Sequence, residues 1–275
     1  MSAPGGIAGG GGGACSLGIA GIGVLGPGLA GWQAAMPVLA GEAPFEAAPF
    51  TPPPPALLPA TERRRTGPSV RLALAVAAEA VAASGLPPEE LDTIFASSNG
   101  EPQVIVSILD ALHAPDGAIS PTQFHNSVHN AAAGYWGIAV GSARPSASLG
   151  GHDFAFATGL MQAGAQVAAR GRPVLCVAHD VPMPEPLDAL RPMQGAFAVA
   201  LVLTPRPGPH GSLDLRFAPE AVAEEPPLPP PLAALRAGNP AARSLPLLAA
   251  LAARRPARLR LALLEDAALD IAVAP

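Results

Sequence analysis

The stretch "HNAAAGYWGIAVGSARPSASLGGHDFAFATGL", residues 129–160, predicts the centre of the fold. Its apolar and small residues indicate a helix from about 126 to 140, a short strand over 145–149 and a second helix over 154–171. The tight turn "GGHDF" joins the strand to the second helix. A strand that turns sharply into a helix exposes the free N–H groups of the helix start, and this arrangement favours a functional site.

The turn contains two candidate chemical groups, His152 and Asp153. The positive end of a helix dipole favours an acidic side chain, so Asp153 suits a functional position at the helix start. The simpler interpretation is that Asp153 is the N-cap of the following helix, because Asp is among the preferred N-cap residues. The turn alone leaves both interpretations open.

Segments typical of strands and of helices alternate along the rest of the chain. The predicted strands occupy residues 16–28, 92–102, 145–149, 172–180, 195–205, 211–217 (as an edge strand), 257–263 and 268–275. The predicted helices occupy residues 69–85, 103–113, 126–140, 154–171 and 243–254. Several strands are continuously apolar, as expected of a sheet that is covered on both faces. The alternation predicts an α/β layered fold.

Composition restricts the class of partner and the cellular compartment. The 275 residues carry a formal net charge of -5 and no extended basic cluster, which argues against nucleic acid as a partner. Two cysteines are too few for a disulfide framework, so we expect a cytoplasmic protein. Residues 5–31 are uncharged but dense in Gly and contain Pro27, which disfavours membrane insertion as a helix.

Other motifs give little support to metal, cofactor or hydrolase chemistry. The segment "GIGVLG" is only a weak dinucleotide signal, because the following "PGLAGW" opens poorly as a helix and no acidic residue appears before Glu42, so a Gly-rich strand end is favoured. His125 and His129 stand four apart on a predicted helix but have no further ligand at a recognised spacing. Cys176 lies mid-strand, where a thiol is usually a buried apolar group. The G-x-S-x-G signature of serine hydrolases does not occur.

Six residues before the turn match a known family pattern in type and spacing, with no insertion or deletion between them. They are Asn130, Ala133, Gly134, Gly141, Pro145 and Ser146. This block resembles the N-terminal half of the β-ketoacyl synthases, the condensing enzymes of fatty acid and polyketide synthesis. The order of the surrounding segments, over roughly residues 16–205, is similar to the same family. The resemblance implies an α/β thiolase-like layered fold, essentially one N-terminal half, with a mixed sheet covered by helices.

The resemblance also implies a domain organisation of three parts. Residues 1–15 are expected to be a disordered Gly-rich tail, and residues 16–217 a β-ketoacyl-synthase-like N-terminal domain. Residues 218–275 are expected to be a Pro-rich linker followed by a short C-terminal helix and strands that complete the domain.

The chain departs from the family's pattern at the turn. Asp153 falls on the position of the catalytic Cys, His152 replaces the usual Ala, and Arg144 replaces a Gly. A carboxylate is a poor acyl carrier, so Asp153 cannot replace the thiolate nucleophile. Moreover, only about 70 residues follow the last matched strand, too few for the C-terminal repeat that contains the family's catalytic histidines. His179 and His210 lie in other motif contexts.

A synthase-like chain without catalytic residues resembles the chain-length-factor subunits, in particular those associated with aryl polyene and related pigments. The resemblance implies an active ketosynthase as heterodimer partner, an acyl carrier protein as a further partner, and no metal or cofactor. In this fold the strand over 145–149 pairs across the dimer interface, and the segment before it borders the partner's acyl tunnel. The implied interface and tunnel residues are Phe124, His125, Asn126, His129, Asn130, Gly134, Trp136, Ser146 and Ser148.

Two other functions remain open at this stage. The chain could be an enzyme in its own right, a decarboxylase or hydrolase acting on acyl carrier protein thioesters, with His152 and Asp153 as acid and base. It could also be a module that binds a carrier protein or a small molecule without a condensing partner. The scarcity of Arg clusters outside residues 63–65 gives the second of these little support.

Overall fold

The computed structural model describes residues 14–275, and all the predicted strands are present in it. Most of the predicted tail over 1–15 lies outside the described residues, and the first strand begins at Cys15. The strands are β1 Cys15–Gly26, β2 Leu29–Ala30, β3 Asp92–Ala96, β4 Ser146–Leu149, β5 Val174–Asp180, β6 Phe197–Thr204, β7 Ser212–Pro219, β8 Ala257–Ala262 and β9 Ala267–Ala274. The α-helices of the described residues are α1 Trp32–Leu39, α2 Ala60–Arg63, α3 Pro68–Ser84, α4 Pro102–His113, α5 Pro121–Asn126, α6 Ala131–Val140, α7 Ala155–Arg170, α8 Pro230–Gly238 and α9 Leu245–Ala252.

The strands form one mixed sheet in the order β4-β3-β5-β6-β1-β7-β9-β8, and the short β2 pairs with β1. β4, β3 and β5 are parallel to one another, whereas all other neighbours are antiparallel. The carboxyl ends of the three parallel strands therefore meet at one edge of the sheet. After β6, the described chain adds only three strands and two α-helices, so it does not repeat the first half.

Helices cover β6 on both faces of the sheet, which explains why the sequence of this strand is continuously apolar. Its residues alternate between two buried cores: Phe197, Val199 and Leu201 belong to the core under α1, α7 and α9. Ala198 and Ala200 belong to the opposite core, under α3 and α6. Because successive side chains of a strand point to opposite faces, both sets of positions must be apolar.

The glycines of β1 allow α3 to pack directly on the strand. A Cβ on Gly21 would lie 2.1 Å from the carbonyl oxygen of Ala80, and a Cβ on Gly23 would lie 2.4 Å from that of Val76. Both carbonyls belong to α3. These two glycines of "GIGVLG" thus serve helix–sheet packing, which accounts for the motif without a nucleotide.

Two sequence predictions for the C-terminal part were wrong. β7 is not an edge strand, since it lies between β1 and β9. Its alternation arises because Leu213 and Leu215 face a helix-covered core while Asp214 and Arg216 face the other, uncovered side. The Pro-rich segment expected to be a linker contains α8, because Pro230 and Pro231 stand in the first helical turn, where a missing N–H is tolerated.

The helix predicted over 126–140 was wrong at its start: α6 begins at Ala131, and residues 127–130 separate it from α5, which ends at Asn126. The Ser127 hydroxyl donates to the Phe124 carbonyl at 2.8 Å, and the buried Asn126 side chain donates to the Arg65 carbonyl at 2.8 Å. Such side-chain bonds to the backbone compete with helix continuation. His125 and His129 therefore do not share one helix face.

No helix within residues 14–275 is long and apolar enough to cross a bilayer.

Candidate functional site

The turns that follow the three parallel strands lie together at one end of the sheet. In open α/β sheets, ligands bind in the crevice beyond the carboxyl ends of such strands. Residues 97–101 follow β3, residues 150–154 follow β4 and residues 181–196 follow β5. Side-chain hydrogen bonds join these segments. The turn predicted to be functional thus occupies the position where a site is expected.

The turn after β4 has a strained backbone. A Cβ on Gly151 would lie 2.9 Å from the Cα of Ala155 in the first turn of α7, so the chain needs a glycine there. His152 adopts a φ of 48°, in the left-handed region that residues other than glycine rarely occupy. Residues His152–Phe154 form one 3-10 turn, and α7 begins immediately afterwards. Strain of this kind is typical of functional turns.

Arginine side chains bind both carboxylate oxygens of Asp153. Arg191 Nη2 donates to Oδ1 at 2.8 Å, and Arg243 Nη2 donates to Oδ2 at 2.9 Å. Arg191 also contacts Nε2 of His152, and the Arg243 guanidinium lies 5.9 Å from the centre of the Phe154 ring. Asp153 makes no capping bond, since Gly151 and Phe154 hold the N-cap positions. The interpretation of Asp153 as an N-cap is therefore wrong.

Little space remains beside the Asp153 carboxylate. The cavity that it lines with Phe154, Phe156 and Arg243 measures about 10 Å³. A cavity needs roughly 10–15 Å³ on this measure to hold one water molecule, so this cavity is far too small for an acyl group. This geometry gives no support to His152 and Asp153 as an acid–base pair for a thioester substrate.

A buried polar cluster lies behind the turn, at the ends of β3 and β5. Asp180 Oδ1 accepts hydrogen bonds from the Ser97 hydroxyl at 3.0 Å and from the Ser98 backbone N–H at 2.8 Å. Its Oδ2 is buried and has no partner among the described residues. Burial raises the pKa of the Asp180 carboxyl to about 6. Since Ser97 also accepts the Gly100 N–H, Asp180 stabilises the turn after β3.

The neighbouring histidines are part of the same structure. His179 is buried, and its Nδ1 lies 3.0 Å from the Ser69 hydroxyl oxygen. Burial, with a contribution from nearby His129, lowers the pKa of His179 to about 3. His129 Nε2 lies 3.1 Å from the Ser97 carbonyl oxygen, so this predicted tunnel residue is tied to the turn after β3. No cluster with the composition of a metal site occurs in the described part of the chain.

Five of the predicted interface residues line one surface groove between α6 and β4, which measures about 690 Å³. They are Asn130, Gly134, Trp136, Ser146 and Ser148. The Trp136 side chain is almost fully buried in the core beneath α6, and its Nε1 has no hydrogen-bond partner among the described residues. Gly134, by contrast, is exposed, and a Cβ on it would meet nothing within 4 Å.

The remaining predicted residues lie on α5 and the segment that follows it. Phe124 is 67% exposed, and His125 and His129 are exposed as well. Asn126 is buried, because its amide oxygen accepts the Tyr135 hydroxyl at 3.0 Å. Asn126 therefore joins α5 to α6 from the inside, while Phe124 and His125 are exposed and His129 contacts the turn after β3.

Sequence reasoning missed the arginines that bind Asp153 and the extent of the apolar surface. Arg191 and Arg243 lie in unremarkable segments, 38 and 90 residues from Asp153, and no local pattern signals their convergence. The exposed apolar residues around α4 to α6 are Leu109, Leu112, Val128 and Ile138. The sequence of α4 has an apolar stripe, and such a stripe is normally buried against a core or a partner. In the structure Leu109 and Leu112 of this helix are exposed, so α4 contributes to the apolar surface.

Comparison with known proteins gives a family match over most of the chain. The family described as "Beta-ketoacyl synthase, N-terminal domain" matches residues 39–262. No curated protein sequence matches the chain.

Three solved structures share the fold. A ketosynthase in complex with its chain length factor from Xenorhabdus doucetiae matches with a TM-score of 0.71 and 21% identity, over 94% of this chain and 99% of that chain. A type II polyketide synthase acyl-carrier protein in complex with its ketosynthase matches with a TM-score of 0.70 and 12% identity, over 95% and 99%. The ishigamide ketosynthase/chain length factor matches with a TM-score of 0.68 and 14% identity, over 94% and 99%. The fold is thus the predicted thiolase-like α/β fold.

Proposed function

Because this chain belongs to the β-ketoacyl synthase family, we propose that it is a non-catalytic, chain-length-factor-like subunit that pairs with an active ketosynthase. The observation that carries the proposal is the exposed edge of β4, which is the outermost strand of the sheet. This edge lies beside exposed apolar side chains, and the turn that contains His152 and Asp153 follows the strand. We further propose that the complex extends polyene chains of the fatty acid or polyketide type, with substrates delivered by an acyl carrier protein. Similarity to complexes of a ketosynthase with a chain length factor supports this assignment.

The β4 strand presents backbone groups that a partner strand can bind. Within the described residues, β4 pairs only with β3. The carbonyls of Pro145 and Leu149 accept the N–H groups of Thr93 and Ser97. In a parallel pair, the residues that alternate with these, which include Ser148, direct their N–H and C=O groups to the outer side. Such an edge is a template for strand addition by another chain.

An apolar surface extends from the β4 edge across the neighbouring helices. Ile138 on α6 is 56% exposed and Leu112 on α4 is 55% exposed, and Phe124 and Val128, which stand between them in the sequence, are exposed as well. Large apolar side chains in such a group are typical of a surface that a partner covers. A strand edge together with this surface suits a permanent heterodimer better than a transient contact.

The state of Asp153 supports a non-catalytic role. Both of its oxygens accept a hydrogen bond from arginine, and a carboxylate is a poor acyl acceptor, so Asp153 is unsuited to attack a thioester. The cavity that Asp153 lines with Phe154 and Arg243 is too small for an acyl chain. We therefore assign condensation chemistry to the partner subunit.

The residues of α5 are the best placed to affect product length. Phe124 and His125 point outward next to the proposed interface, and Asn126 fixes the helix from the inside. Once a partner covers this surface, the volume of Phe124 would limit the space for the growing chain. In this role the side chain acts by packing, and it needs no acid, base or nucleophile.

The experiment that tests the pairing is co-expression with the ketosynthases encoded beside this chain's gene, followed by size-exclusion chromatography with light scattering. We expect a stable heterodimer. Ser148→Pro removes an outward N–H from β4 and should abolish the heterodimer while the chain remains folded by circular dichroism. Ser148→Ala keeps the N–H and should pair normally. A wild-type chain that stays monomeric with every such ketosynthase would overturn the proposal.

A further inference from the structure

Three separate segments of the chain converge on the carboxylate of Asp153. Asp153 itself follows β4, Arg191 lies in the loop between β5 and β6, and Arg243 lies in the 3-10 turn Ala241–Ser244 between α8 and α9. Each arginine contributes one nitrogen, to a different carboxylate oxygen. Asp153 therefore connects the synthase-like half to the C-terminal segment.

The Arg191 side chain is committed to this contact. It is only 21% exposed, donates to Asp153 and also contacts the His152 ring. Its Nε is buried and has no partner among the described residues. A guanidinium held in this way has lost part of its hydration, and it depends on the carboxylate for compensation.

The position of Arg243 is fixed independently of Asp153. The Asn239 amide nitrogen donates to the carbonyls of Asp180 and Gly195, and its amide oxygen accepts the N–H groups of Ala241 and Ala242. These bonds hold the 3-10 turn against the ends of β5 and β6. The turn itself is anchored by buried Ala241 and Ala242, so Arg243 is presented to the carboxylate by a rigid support.

We infer that Arg191 and Arg243 form a carboxylate-binding site, that Asp153 is the internal ligand of this site, and that this contact holds the C-terminal segment over the turn after β4. The inference goes beyond the proposed pairing with a ketosynthase and does not depend on it. A neutral thiol at position 153 could not bind two guanidinium groups, so the replacement that removes the nucleophile also supplies the anion that joins the two parts.

If the Asp153 carboxylate is removed, the two guanidinium groups lose the anion that they share, because Glu225, which lines the same cavity as Arg243, is bound by Arg236. Their mutual repulsion destabilises the C-terminal segment, and a small carboxylate from solution can relieve it by taking the same place. The chemical class of ligand is therefore a monocarboxylate small enough for the space that the Asp153 side chain leaves, such as formate or acetate.

The test is chemical rescue of Asp153→Ala, on the purified full chain or on its complex if it purifies as one. We expect the melting temperature to fall by roughly 3–8 °C and to recover partly in about 0.1 M acetate or formate, relative to chloride at equal ionic strength. Limited proteolysis should cut the variant faster within residues 182–195 or 220–240, and the carboxylates should slow this cleavage. Asp110→Ala removes an exposed carboxylate that forms no ion pair with the described residues, and should show neither effect.

Asp153→Asn provides a second variant that preserves volume, in case Asp153→Ala does not fold. It should be less stable than the wild type and insensitive to acetate, because the amide still fills the site. The inference is overturned if Asp153→Asn and Asp153→Ala both melt at the wild-type temperature. It is equally overturned if acetate stabilises Asp153→Ala no more than it stabilises the wild type and Asp110→Ala.

Discussion

Arg144, immediately before Pro145 and β4, donates from Nε and Nη2 to one oxygen of Asp92, at 3.1 and 2.8 Å. Asp92 begins β3 and is completely buried, and Arg170 at the end of α7 binds its other oxygen at 2.9 Å. Arg144 thus ties the start of β4 to the start of β3. It is also the residue before Pro145 at which the sequence differs from the synthase pattern. The position of the outer strand edge depends on this ion pair.

We predict that Arg144→Gly, which introduces the family's residue, lowers the free energy of unfolding by about 1–3 kcal/mol, because it leaves a buried carboxylate with only one partner. Urea unfolding at neutral pH measures the effect. The matched control is Arg172→Gly, which also precedes a Pro and a strand but removes an exposed arginine that forms no ion pair with the described residues. Equal losses in the two variants would show that the Asp92 contact contributes nothing.

The glycines of β1 provide a second prediction. Gly21→Ala should reduce the free energy of unfolding by about 2–4 kcal/mol or prevent folding, because its Cβ would collide with the Ala80 carbonyl and displace α3. Gly134→Ala should instead stabilise the chain by about 0.5–1 kcal/mol, since Gly134 lies in α6 with open space around it. Thermal and urea unfolding of both variants measure these opposite signs. A tolerated alanine at Gly21 would contradict the close packing of α3 on β1.

The buried pair at the end of β5 predicts an unusual dependence of stability on pH. The pKa of His179 is about 3 in the folded chain and near 6.5 when unfolded, so its stabilising contribution is present above pH 6.5 and is lost as the pH falls. The pKa of Asp180 is about 6 when folded and near 3.8 when unfolded, so its contribution is present at low pH and is lost as the pH rises towards 6. The two effects oppose each other between pH 4 and 6.

Removal of Asp180 should therefore expose the effect of His179. We expect Asp180→Asn to lose stability more steeply than the wild type between pH 6 and 4, and His179→Gln to lose it less steeply. Urea titrations at several pH values measure both slopes. Parallel profiles for the three proteins would mean that neither group titrates differently in the folded chain.

The proposed role of α5 predicts a change of product without a loss of assembly. In a reconstituted complex with the partner ketosynthase, Phe124→Ala should give longer or more heterogeneous chains, because it enlarges the space beside the interface. Mass spectrometry of the products measures this, and chromatography checks that the heterodimer persists. Leu190→Ala is the control, since Leu190 is 83% exposed on the loop after β5 and should leave the products unchanged. An unaltered product profile for Phe124→Ala would exclude this residue from the tunnel wall.

Local sequence patterns predicted most of the fold, because the strands of a covered sheet must be continuously apolar, as β5 and β6 are. These patterns failed where contacts between distant residues determine the bounds of a helix or the neighbours of a strand. The gap between α5 and α6 depends on the partners of the Asn126 side chain, and the pattern that predicted a helix from residue 126 does not show these partners. An alternating strand such as β7 indicates one solvated face, which does not determine whether the strand has neighbours on both sides.

The candidate site was predicted only in its position. The strand, the tight turn and the following helix are local, so the sequence places Asp153 correctly at the start of α7. The state of its carboxylate is set by Arg191 and Arg243, which come from distant segments, and the cap interpretation was therefore wrong. A local sequence pattern predicts which residue stands at a turn, whereas the charged groups around that residue can be known only from the whole fold.

The outer edge of β4 also has a consequence for the cell that makes this chain. An uncovered strand beside exposed apolar side chains recruits strands from other nascent or misfolded chains, so the features that suit a specific partner also promote aggregation. If the chain pairs as proposed, surplus copies would be lost to precipitation or to proteases, and the ratio of the two subunits would have to be matched during synthesis. Expression without the proposed partner should lower the soluble yield of the chain, and the soluble fraction should rise with the amount of ketosynthase produced alongside.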